Sequence, residues 1–338
     1  MATYQGIKGR TVQNLASDPP AAVGEGQVWF NTTSDTLKTS IGVGAWAAAN
    51  TYPTVVAYVS NCGTQTASIC ASGKATNPIP GSPTTTACAE YDGTSWAAGN
   101  VMAETRGQCS GQKVGSQTAA LAVGGTTGGS PNYGPECEEY DGTSWTGGGS
   151  LTEDGGRSYV AGFGTLTAAV AGGGYAQTGA TANSEEYNGT AWTAGNDMQV
   201  ARNSASGTGT LTAGLAVGQY NNGALVEEYD GTNWTAVTAI PVGKYGVFGG
   251  MGTQTDCLYA GGAIGPGSPK TAVCNTYDGT NWATSPSLAT ARGQGASGGT
   301  SSLAFIAGGN SGPTVGVTTC EEFTGKTSEV NYKTITTS

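Results

Sequence analysis

Ala89-Glu90-Tyr91-Asp92-Gly93-Thr94-Ser95-Trp96 is the stretch on which the fold of this chain turns. It returns as Glu139-Tyr140-Asp141-Gly142-Thr143-Ser144-Trp145 and as Glu186-Tyr187-Asn188-Gly189-Thr190-Ala191-Trp192. Two more copies are Glu228-Tyr229-Asp230-Gly231-Thr232-Asn233-Trp234 and Thr276-Tyr277-Asp278-Gly279-Thr280-Asn281-Trp282. The tyrosines follow one another at 49, 47, 42 and 48 residues. A weaker sixth copy, Glu321-Glu322-Phe323-Thr324-Gly325, ends the series. Asp-Gly or Asn-Gly between two short apolar runs predicts a hairpin. A hairpin repeated every 40 to 50 residues or so predicts a radial array of small sheets.

Residues 157–193 show one whole unit. Ser158-Tyr159-Val160-Ala161-Gly162-Phe163 reads as a glycine-rich strand, and Leu166-Thr167-Ala168-Ala169-Val170-Ala171 as an apolar one that ends at Gly172-Gly173. Glu185-Glu186-Tyr187, the Asn188-Gly189 turn and Thr190-Ala191-Trp192 complete a four-stranded antiparallel blade. Apolar second strands end at Gly73, Gly124, Gly172, Gly218, Gly261 and Gly308, and six tryptophans fit the outer strand: Trp46, Trp96, Trp145, Trp192, Trp234 and Trp282. The expectation is an all-β, six-bladed propeller over residues 26–326. Trp46 precedes the complete repeats, and the last repeat lacks a tryptophan of its own. The strand around Trp46 is therefore expected to finish the last blade; Glu329-Val330-Asn331-Tyr332 is the alternative. Residues 1–25 read as an N-terminal arm and 327–338 as a C-terminal tail.

A Gly-Gly doublet after an apolar strand, then Tyr, then Trp, resembles a kelch-type repeat, over roughly residues 45 to 325. The spacing from Tyr to Trp is shorter here than that pattern usually shows, so the repeat is kelch-like. A second resemblance precedes it. Gly26-Gln27-Val28-Trp29-Phe30-Asn31-Thr32-Thr33, with Leu37-Lys38 after it, resembles a segment of bacteriophage tail-fibre and virion structural proteins. The Glu-Tyr-Asp-Gly-Thr-Ser-Trp repeat likewise resembles virion proteins of marine phages. These resemblances imply a virion component, a tail fibre, adhesin or capsid decoration, assembled in the host cytoplasm and present in multiple copies per particle. The arm, with Tyr4, Lys8 and Arg10, would dock on other virion proteins; it is too poor in apolar residues to form a core alone.

Composition narrows the function further. Only 11% of residues are charged and the formal net charge is −10, which argues against nucleic acid as a partner. No apolar run is long enough to span a membrane, and the first residues do not read as a signal peptide. The chain has no histidine, so the usual acyl-transfer triad is excluded and no cofactor or metal is expected. Cys88, Cys137, Cys274 and Cys320 recur shortly before the Tyr or Phe of a repeat and read as small buried hydrophobes. Cys70 with Cys88, and Cys257 with Cys274, are the pairs that neighbouring strands would bring near each other.

Two sets of residues are candidates for function. The long unequal loops after the second strands hold Asn132, Tyr133, Tyr175, Tyr220 and Asn221, a mix suited to a sugar or an adaptable protein contact. Arg106, Arg157, Arg202, Lys244 and Arg292 recur ten or twelve residues after a tryptophan. They would either line a channel mouth or, as the better reading, pair with acids such as Glu138-Glu139 and Glu185-Glu186. The expected function is non-enzymatic recognition of a host-surface glycan or protein, or particle assembly. A lectin-like carbohydrate-binding module is the alternative and a glycosidase-type propeller the third reading.

Overall fold

The computed structural model describes residues 13–16, 28–42, 44–75, 84–109, 112–127, 133–221, 223–265, 267–312, 315–325 and 330–334. It is all-β: among these residues there is no helix, and hence none able to cross a membrane. The chain divides into two compact units, 46–323 and 1–45 with 324–338.

In the larger unit each repeat supplies a run of four strands. The first runs Ser60–Thr64, Ala67–Ala71, Cys88–Tyr91, Trp96–Gly99. The next two runs begin at Gln112–Ser116 and Ala161–Thr165, whose parallel pairing joins them into one eight-stranded sheet. The fourth and fifth begin at Ser206–Thr210 and Phe248–Thr253. The last repeat supplies three strands, Ala296–Gly299, Leu303–Ala307 and Cys320–Thr324; the fourth is Ala45–Ala49, which carries Trp46. The first strands neighbour one another in cyclic order, that of the sixth repeat lying against that of the first. The result is a β-rich, propeller-like fold.

The eight-letter phrase explains itself locally. The Asp92 carboxylate accepts from the N–H groups of Thr94 and Ser95 at 2.7 and 2.6 Å, and Gly93 takes a φ of 90°. Asp141, Asn188, Asp230 and Asp278 do the same. These bonds favour the ionised form and hold the Asp92 carboxyl below its ordinary range. Tyr and Trp then pack as a pair, as Tyr140 with Trp145 at 5.0 Å between centroids.

Two kinds of link join successive repeats, and a third holds each repeat to itself. First, each tyrosine hydroxyl donates to a glutamate of the preceding repeat: Tyr140 to Glu90, Tyr187 to Glu139, Tyr229 to Glu186, Tyr277 to Glu228, and Tyr91 to Glu322. The exception is paired: Phe323 has no hydroxyl, and the glutamate position before it is Thr276. Second, the recurrent cysteine packs in one core cluster with the next repeat's tryptophan, Cys88 with Trp145 and Cys137 with Trp192. At the same position Ser184 accepts from the Trp234 indole at 3.1 Å. The recurrence of Cys thus reflects a small apolar volume beside that ring. Third, the arginines are buried. Arg106 meets Glu138 at 3.0 Å, Arg157 meets Glu185 at 2.7 Å, Arg292 meets Glu321 at 2.9 Å, and Arg202 pairs with Glu227. Where the first repeat has Val56 in place of the cation, the acid is replaced by Ala89. In the fifth repeat Asn275 stands at the acid's position, and Lys244 donates instead to the Val273 carbonyl at 2.8 Å.

All eight cysteines are free and buried. Cys70 stands opposite Ala89 and Cys88 opposite Ala71, and the two pack in different core clusters, so this pair does not bridge. Cys257 and Cys274 likewise pack in different clusters.

The smaller unit differs from the expected boundaries. Val28–Asn31 and Thr36–Gly42 form a hairpin, Gln13–Leu15 adds to it in parallel, and Val330–Thr334 pairs antiparallel with Thr36–Gly42. Residues 28–42 therefore belong with the C-terminal strand and not with the repeats, whose Gly-Gly, Tyr and Trp signature they lack. Val330–Thr334 pairs here and not with the sixth repeat, which removes the alternative closure. Trp29 and Leu37 are its buried apolar residues. Tyr4, Lys8 and Arg10 lie outside the described residues.

Candidate functional site

The residue two places after each cation position is the one that builds the site. These residues are Tyr58, Gln108, Tyr159, Ser204, Gly246 and Gln294, and all six adopt a left-handed φ between 56° and 65°. Only one is glycine. A left-handed conformation costs an ordinary residue about 1–2 kcal/mol, and such strain concentrates at functional positions.

What holds them is a ring of backbone hydrogen bonds. Tyr159 N–H donates to the Gln108 carbonyl at 2.9 Å, Ser204 to Tyr159 at 3.1 Å, Gly246 to Ser204 at 3.2 Å and Gln294 to Gly246 at 2.8 Å. Tyr58 donates to Gln294 at 2.6 Å, and Cys109, next to Gln108, donates to Tyr58 at 3.0 Å. The order returns to its start. Each repeat delivers one carbonyl and one N–H to the same ring.

Above this ring opens a cavity of about 460 Å³. Its floor is Tyr58, Gln108, Tyr159, Ser204 and Gln294, and its walls include Tyr133, Tyr175, Asn203, Tyr220, Tyr245, Ser268, Lys270 and Asn310. Six tyrosines therefore face one space. They meet in pairs, edge to face: Tyr58 with Tyr159 at 5.9 Å, Tyr133 with Tyr175 at 5.7 Å, and Tyr220 with Tyr245 at 4.8 Å. The fifth and sixth repeats supply the polar side. Lys270 Nζ and Asn310 Nδ2 both donate to Gln294 Oε1, at 3.0 and 3.1 Å, and Lys270 lies over the Tyr245 ring. Among the described residues no carboxylate lines the cavity.

Burial sets the electrostatics. Desolvation, helped by Tyr245, pushes the Tyr58 phenol up to about 12, so it is a neutral donor at physiological pH. Desolvation brings Lys270 down to about 8. Its ordinary value is 10.5. Between these two values the unfolded chain binds more protons than the folded one, so this group's contribution to stability rises with pH across that window. Lys270→Met removes it. Relative to wild type the variant is expected to be most stable near pH 7 and to lose that advantage towards about pH 10. Urea unfolding of both proteins over that range measures this; a constant difference would mean that Lys270 is fully hydrated.

Of the loop residues singled out from sequence, Tyr133, Tyr175 and Tyr220 come together in this cavity. Asn132 lies outside the described residues, and Asn221 is exposed and not part of the lining. Arg106, Arg157, Arg202, Lys244 and Arg292 are all buried and absent from the lining, so none stands at a channel mouth; their polar partners are within the sheets. Sequence reasoning missed Tyr58, Gln108, Tyr159, Tyr245, Lys270, Gln294 and Asn310, and with them Asn203, Ser204 and Ser268. A signal for the floor was present, since each floor residue follows the cation position by two. The described residues hold no cluster of metal-ligating side chains.

No family model matches the chain, and no curated protein matches it. Among solved structures, one titled "Structure of YjhT" is similar, with a TM-score of 0.68 over 84% of this chain and 99% of that one. Sequence identity is 15%, so the likeness speaks of the fold alone.

Proposed function

We propose that this chain is a non-enzymatic component of a bacteriophage virion, a six-bladed kelch-like propeller that holds a host-surface carbohydrate in its tyrosine-lined mouth. Six blades are supported by the cyclic order of first strands and by the backbone ring through residues 58, 108, 159, 204, 246 and 294. The virion reading rests on the likeness of residues 26–38 and of the repeat to phage structural proteins.

The carbohydrate reading rests on one observation: six tyrosines and several amides converge on one cavity, whose described lining holds no carboxylate. Aromatic rings stack on the apolar faces of a sugar, while neutral amides and phenols bond its hydroxyls. A pair of carboxylates flanking the substrate is what glycoside hydrolysis ordinarily needs, so the lining favours holding over cleaving.

A glycan array probed with the full chain tests this. Binding is expected to a restricted set of glycans and to fall at least tenfold in Tyr175→Ala, which removes an exposed wall residue and no core contact. Retention of the same glycans at full strength by that variant would overturn the site; antibody labelling that finds the chain absent from purified particles would overturn the virion assignment.

A further inference from the structure

Lys113 spans the axis around which the first strands are arranged. Its strand, Gln112–Ser116, and Phe248–Thr253 stand opposite each other in the cyclic order of first strands. The lysine stem bridges them: a Cβ built on Gly250 would lie 2.9 Å from Lys113 Cγ. Gly250 has a φ of 71° and sits where the register of Phe248–Thr253 shifts against Asp256–Ala260. The ammonium ends at the first repeat, where Nζ donates to Asn61 Oδ1 at 3.0 Å. Asn61 is held in that orientation because its own amide donates to the Ser297 carbonyl.

Among the described residues the ammonium is short of partners. It has three donors, and Asn61 takes one. The four ion pairs among the described residues are arginine–glutamate pairs and do not involve it. The titratable groups that act on it are Cys62 and Cys70, thiols that burial keeps neutral by raising them. Desolvation holds Lys113 down to about 7, so it is charged mainly on the acid side of neutrality. A partly buried cation without counter-charge is costly unless one is supplied.

We propose that a small monovalent anion such as chloride binds beside Lys113 Nζ in the axis of the ring and supplies that charge. The inference rests on the closed ring and is independent of the carbohydrate reading. The test compares thermal unfolding in chloride and in gluconate at equal ionic strength. At pH 6 the wild-type midpoint should rise with chloride; the rise should disappear at pH 9 and in Lys113→Met, and persist in Lys270→Met. An equal chloride response in wild type and Lys113→Met would overturn the proposal. Diffraction from bromide-soaked wild-type crystals decides the matter even if the variant does not fold. An anomalous peak in contact with Nζ is the expected result, and no such peak, or a water in its place, contradicts it.

Discussion

Arg157→Met is expected to cost about 3–5 kcal/mol of stability, because it strands a buried carboxylate. Glu185 is fully buried. It accepts from Arg157 Nη2 at 2.7 Å and from the N–H and hydroxyl of Thr152 at 2.7 Å each. The arginine also donates to the carbonyls of Gly173 and Asn183. Truncation removes the counter-charge and takes the arginine donor from both carbonyls, of which Asn183 keeps the Gly173 N–H. The double change Arg157→Val with Glu185→Ala removes both charges together. The first repeat already carries this arrangement, with Val56 and Ala89 in the two places. The double variant should therefore be more stable than the single one by about 2 kcal/mol. Urea unfolding of the three proteins gives the comparison. A double variant at least as unstable as Arg157→Met would show that the pair stabilises through its hydrogen bonds and not through mutual neutralisation.

Trp46→Ala is the second large effect, about 3 kcal/mol. Trp46 comes from before the first repeat, yet its ring lies 5.1 Å from that of Phe323 and its indole donates to the Pro286 carbonyl at 3.0 Å. It packs on the cluster of Phe248, Leu258, Cys274 and Leu288. A tryptophan on a free segment would change stability by no more than about 0.5 kcal/mol when truncated.

The repeat was legible because its residues are tied to local physics. Asp-Gly reads as a turn whatever surrounds it, and Tyr and Trp at fixed offsets read as packing. Trp46 could be placed in the last repeat because a tryptophan was missing there and supernumerary at the front. The arginines read as paired because acids recur near Tyr in the same repeats. The cavity was legible only by half. Tyr133, Tyr175 and Tyr220 stand out as aromatics in polar loops, and their convergence follows from the circular arrangement. Tyr58, Gln108, Tyr159, Ser204, Gly246 and Gln294 share no one side-chain type. What they share is a left-handed backbone fixed by bonds between repeats, and such long-range bonds leave no mark in composition. The pairing of Thr36–Gly42 with Val330–Thr334 was missed for a similar reason: it joins segments nearly the whole chain apart and belongs to no repeat.

Completion of the last repeat by the segment that carries Trp46 is what ties the start of the repeat region to its end. Hydrogen–deuterium exchange at the amides of Ala45–Ala49 tests it most directly. They should exchange as slowly as those of the other outer strands, Trp96–Gly99 and Trp282–Ser285 among them. Exchange of 45–49 at the rate of an unstructured peptide, with those strands still protected, would contradict the account.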